Sequence, residues 1–172
     1  MRRYLDALRP DGAGSFLEYH RHTRGDRTCD IAALRPIRAV LTSHDYWELQ
    51  EHRRRCEDLG GDLFIRLARL IRAKTADALV VNADDLPPDT VTGTARVTFA
   101  VERRRPETRT LYHWGYPDRA RSRLPVATFL GVTLIGMTVG HRTCLLDAKG
   151  VVGEVQVLAV QFQPAPEADV FD

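Results

Sequence analysis

Long apolar runs are missing from this chain: nowhere do the roughly 18 uninterrupted apolar residues of a bilayer-spanning helix occur. Met1-Arg2-Arg3 is followed by mixed polar sequence rather than an apolar signal core, so a soluble, cytoplasmic protein without a membrane partner is expected. Cysteine is scarce. Cys29, Cys56 and Cys144 are odd in number, widely spaced and without a CxxC pair, which argues against a disulfide framework or a zinc ribbon and leaves three reduced, mostly buried thiols as the expectation. The glycine-rich phosphate cradles GxGxxG and the P-loop are missing, as is the GxSxG elbow of serine hydrolases. Net charge is only +2, too little for a whole-molecule field that gathers nucleic acid.

What is present is a globular composition, 44% apolar and 28% charged over 172 residues, enough for one ordinary core with an appendage. Charge is uneven: 15 Lys/Arg stand against 11 Asp/Glu in residues 1–74, and 10 against 12 in residues 75–172, with arginine supplying nearly all of the positive charge. Residues 1–38 lack a sustained period and are broken by Pro10, the Gly12 to Ser15 run, Gly25 and Pro36, the pattern of a flexible extension with at most a short helix near Phe16 to His22. Thr42-Ser43-His44-Asp45 then reads as a capping box that starts a helix, with Tyr46, Leu49, Cys56 and Leu59 on one face. Gly60-Gly61 stops it, and Asp62 caps a second helix carrying Leu63, Leu67, Leu70, Ile71 and Lys74. A short helical hairpin is predicted.

Beyond Lys74 the period shortens to two. Residues 78–81 form a short apolar run, and the stretch from Asp84 to Asp89 with Pro87-Pro88 is a turn. Val91, Gly93, Ala95, Val97, Phe99 and Val101 alternate with polar residues as in a half-buried strand, and residues 108–116 return as its partner after a charged turn at Pro106. A polar loop over 117–123, a glycine-bracketed apolar helical segment over 128–140, strands near 142–146 and 154–163, and an acidic tail complete the chain.

Motifs with chemical potential are few. Ser43-His44-Asp45 names the residue types of a hydrolase triad, but three consecutive residues at a helix start splay apart, so capping is the better reading. His20 and His22 lack a third metal ligand nearby, His44 and His52 are two helical turns apart, too far for the usual i,i+4 chelate, and His113 and His141 read as ordinary domain residues. Arg103-Arg104-Arg105 lacks interleaved aromatics and reads as a solvated hairpin tip. Glu57, Asp58 and Asp62 flank the Gly60-Gly61 turn, where they either hold a divalent cation, face an electropositive surface, or simply cap and solvate the tip.

Taken in order, the capped hairpin, the segment Asp85-Leu86-Pro87-Pro88-Asp89-Thr90-Val91-Thr92, the strand Ala95-Arg96-Val97, the Tyr116-Pro117 pair and the segment from Gly131 to Gly140 resemble the Rnk family, regulators of nucleoside diphosphate kinase. More distantly they resemble the transcript cleavage factors GreA and GreB, with which that family shares its C-terminal domain. The opening residues 41–49 are similar to the start of the Rnk-like hairpin, and the match spans roughly residues 39–164. The resemblance implies an α+β protein: a short N-terminal antiparallel helical hairpin (39–76), coiled-coil-like, then an FKBP-like antiparallel β-sheet domain with one short packed helix (77–164), flanked by the extension 1–38 and a loose acidic tail (165–172).

It further implies a non-enzymatic monomer without cofactor or metal that docks on RNA polymerase near its secondary channel, touching nucleic acid at most indirectly within the transcription complex. Ala127, Thr128, Phe129, Leu130 and Gly131 occupy the position of the family's docking loop. In Gre factors a long coiled coil carries two acids to the polymerase active site. Here the roughly 18 residues from Thr42 to Gly60 give an arm of at most about 27 Å, so Glu57 and Asp58 are expected at the channel entrance without stimulated cleavage. The family's Ser-Pro pair is replaced by Ala127-Thr128-Phe129, and His141 stands where the family has Asp. The competing readings are an adaptor for another protein and an FKBP-like prolyl isomerase.

Overall fold

The computed structural model describes residues 38–114 and 122–161. The N-terminal extension, His20, His22, Cys29, the Tyr116-Pro117 pair and the acidic tail lie outside the described residues. A short strand β1 (Val40–Thr42) leads into helix α1 (Ser43–Leu59), and α2 (Gly61–Ala76) returns along it. Thr42 caps α1, its Oγ1 accepting from the Asp45 N–H at 3.0 Å, and the chain reverses at Gly60, whose N–H donates to the Cys56 carbonyl. Leu49 and Cys56 of α1 and Leu67, Ala68 and Ile71 of α2 are buried in one continuous core with the sheet. At about 1.5–3 kcal/mol for each fully buried Leu or Ile, that shared apolar face is what holds the hairpin down.

Strand β2 (Leu79–Val81) pairs parallel to β1, and a single 3-10 turn (Ala83–Asp85) precedes the two prolines. Strands β3 (Arg96–Val101), β4 (Glu107–Tyr112), β5 (Arg123–Pro125), β6 (Arg142–Asp147) and β7 (Gly150–Gln161) form a five-stranded sheet in the order β5-β4-β3-β7-β6. Register shifts at Thr98/Phe99 and Leu145/Leu146 mark irregularities of the kind that bend a sheet. Helix α3 (Phe129–Leu134) is buried along its whole length and packs against β6 and α2.

The predicted α+β architecture stands, with several differences in detail. The sheet is mixed rather than wholly antiparallel, because β5, where no strand was expected, runs parallel to β4. The alternating stretch from Val91 does not enter the ladder until Arg96: the Val91 N–H and carbonyl bond instead to Met137 and Gly136, and the Ala95 N–H turns back to the Thr92 carbonyl. The helical segment expected over 128–140 stops at Leu134, where Gly136 adopts a φ of 77°. Cys56 is a buried thiol outside any disulfide, but Cys144 is disulfide-bonded, which corrects the reading of three reduced cysteines. Among the described residues no helix is long and apolar enough to cross a membrane.

Candidate functional site

Helix α1 turns a polar ladder, not only leucines, toward the domain. Asp45, Leu49, His52 and Cys56 lie at i, i+4, i+7 and i+11 on its buried face. The capping box is therefore half realised: Thr42 caps as expected, but the Asp45 carboxylate points inward, accepting from the Gly93 N–H at 3.1 Å and from His113 Nε2 at 3.0 Å. Its side chain and that of His113 are each 5% exposed. A carboxylate only accepts, so His113 donates from Nε2, and its Nδ1 shares a hydrogen bond with His52 Nε2 at 3.2 Å.

The chain ends under an aromatic roof. The His52 ring stacks on His113 at 5.4 Å between centroids and on Trp114 at 4.0 Å. The Trp114 indole N–H donates to Glu48, and the Arg55 guanidinium lies 4.4 Å above its ring. Burial, then the neighbouring His113 and Arg55, push the His52 pKa down to about 3, so this imidazole is neutral at physiological pH. Gly93 is obligatory here: a Cβ would fall 2.0 Å from His113 Nε2 and 2.6 Å from Asp45 Oδ1. A second tie lies in the last turn of α2, where Lys74 Nζ donates to the Thr133 carbonyl at 2.7 Å and burial lowers its pKa to about 7. Both ties fasten the hairpin to the sheet domain. The Asp45 carboxylate and the two imidazoles are enclosed, so they position structure rather than meet a substrate.

The residues singled out from sequence are distributed differently from their expected roles. Ser43 and His44 are exposed while Asp45 is buried, so the apparent triad diverges. Of the proposed docking loop, Ala127, Phe129, Leu130 and Gly131 are buried. Thr128 is half-buried and caps α3, its Oγ1 accepting from the Gly131 N–H at 3.0 Å and donating to the Pro125 carbonyl at 2.9 Å. Gly131 passes so close to strand β5 that a Cβ would meet the Pro125 carbonyl oxygen at 2.2 Å. Glu57, Asp58 and Asp62 are exposed around the hairpin turn, and Glu57 is engaged by Arg53 at 2.9 Å. They do not form a ligand set: among the described residues no three His, Cys, Asp or Glu side chains are grouped to hold a metal.

The Asp45–His113–His52 chain was not anticipated. Its signal was present as two polar residues, Asp45 and His52, in register with Leu49 on a helical stripe, where a purely apolar seam was expected. Their partner His113 is 61 and 68 residues away from them in sequence, which no local pattern reveals.

No family model and no curated protein matches the chain. The fold is shared with a prokaryotic transcription elongation factor GreA/GreB from Nitrosomonas europaea, at a TM-score of 0.53 and 23% identity, over 73% of this chain and 100% of that one. The Gfh1 proteins of Thermus thermophilus and Thermus aquaticus align more loosely, each 15% identical, with TM-scores of 0.32 and 0.36, over 73% of this chain and 100% and 99% of theirs.

Proposed function

We propose that the protein is a transcription regulator that binds RNA polymerase near its secondary channel, in the manner expected of the Rnk-like branch, without stimulating transcript cleavage. The observation that carries this reading is the joint presence of hairpin and curled sheet over the whole length of the Nitrosomonas europaea GreA/GreB structure. Arm length supports the absence of cleavage. At 17 residues and 1.5 Å per residue, α1 extends about 26 Å. Glu57 is also neutralised by Arg53, which leaves Asp58 without a matched acid pair at the tip.

Docking uses the outer surface of the corner formed by the half-buried Pro125 and Thr128, shaped from within by the buried Ala127, Phe129, Leu130 and Gly131. Binding of the intact protein to core RNA polymerase, measured by fluorescence anisotropy, is the test, together with cleavage of RNA in stalled elongation complexes. Saturable binding with no stimulated cleavage is expected. Absence of binding overturns the reading, and cleavage that is lost in Asp58→Ala overturns its second half.

A further inference from the structure

The two helices of the hairpin treat their arginines in opposite ways. On α1, Glu51 receives Arg55 at 2.8 Å and also Arg54, and Glu57 receives Arg53, so that helix neutralises itself along its own surface. On α2, Arg66, Arg69 and Arg72 are all exposed, and among the described residues none of them is in an ion pair. Spaced at i, i+3 and i+6, they climb about 9 Å of helix as one slanting row. The only acid on α2 is Asp62, in its first turn. The row is bordered by exposed Leu63, Ala73 and Ala76.

We infer that this face of α2 is an interaction surface for an acidic, leucine-bearing helix of a protein partner. Arginine forks bind carboxylates through two parallel hydrogen bonds, and their spacing on α2 matches carboxylates carried at i, i+3 or i+4 on a facing helix. Alanines at 73 and 76 allow close approach, and Leu63, 43% exposed, supplies an apolar contact that a phosphate backbone would not use. The face also lacks an exposed aromatic on which a base would stack, since Phe64 packs against the core. Enrichment in arginine with an apolar neighbour is the composition of a protein interface.

The test titrates the full-length protein, isotope-labelled for amide NMR, with a synthetic helical peptide bearing glutamates at i, i+3 and i+7 with interspersed leucines, and separately with a single-stranded RNA decamer. Shifts centred on residues 63–76 are expected with the peptide, weakening as salt is raised. In the charge-reversed Arg66→Glu/Arg69→Glu/Arg72→Glu variant, whose exposed positions leave the core intact, affinity is expected to fall by about tenfold or more, since like charges are brought together. The Arg→Lys triple variant, which keeps charge but loses the forks, is expected to fall between. Peptide shifts elsewhere, or unchanged in the reversed variant, overturn the inference, as does tighter binding of RNA than of peptide at α2. Polymerase does not enter this experiment, so its failure is separable from failure of the proposed function.

Discussion

The buried imidazole of His52 makes hairpin docking dependent on pH, and the size of the effect follows from its surroundings. An unfolded chain binds a proton at His52 with a pKa of about 6.5, whereas the folded protein resists protonation until about 3. Between those limits the unfolded state holds more protons, so stability is complete above about pH 6.5 and is lost as pH falls toward 3. At 1.36 kcal/mol per unit, moving from about pH 7.5 to about pH 5 removes about 2 kcal/mol through this one ring. Urea unfolding at the two pH values measures it, with His52→Phe as the comparison. Phenylalanine keeps a flat ring between His113 and Trp114 but loses the hydrogen bond to His113, so the variant is less stable at neutral pH by about 1–3 kcal/mol. It should nevertheless lose about 2 kcal/mol less than the wild type on acidification. Equal losses in the two proteins would refute the assignment of a neutral, enclosed His52.

Lys74 predicts the opposite end of the pH scale: its folded pKa of about 7 lies below the usual 10.5, so the unfolded chain holds the extra proton between them and stability rises with pH. A gain of about 1–2 kcal/mol from about pH 7 to pH 8.5 is expected in urea melts, and Lys74→Met should abolish it. Gly93→Ala drives a methyl into His113 and Asp45, at a cost of about 2–4 kcal/mol in thermal or urea unfolding. Thr128→Val removes the α3 cap for about 1 kcal/mol while leaving the fold intact. Phe129→Asp, by contrast, places a carboxylate in the core and should abolish cooperative unfolding, so Thr128 and not Phe129 is the position at which to test docking.

The burial of Phe129 and Leu130 changes what that segment is. Read along the chain, an apolar stretch following a polar loop fits a docking loop and a packed helix equally well. In the folded protein the glycine at 131 lets α3 settle onto the Pro125 carbonyl, and the side chains turn inward. In the proposed docking mode a partner would meet the corner's backbone and Thr128, with the apolar side chains as its support.

Local physics made most of the hairpin legible: the Thr42 cap, the reversal at Gly60 and the stripe of Leu49, Cys56, Leu67 and Ile71 act within a few residues and stand where the sequence placed them, whereas Asp62, expected as the cap of α2, lies inside its first turn after Gly60, and Leu63, expected on the stripe, is exposed. The same holds for the charged β3–β4 turn and for the hairpin of β6 and β7, whose strands differ from expectation only in length. Nonlocal pairings were not legible. The parallel β5, the diversion of Val91 to Met137, and the meeting of Asp45, His52 and His113 across more than 60 residues depend on where the sheet curls, which no window of sequence contains. Sequence alone determined that two short helices precede a β-rich domain. Only the tertiary structure decided which polar side chains those helices bury, because a buried carboxylate or imidazole is tolerated only where a partner is brought to it from a distant part of the chain.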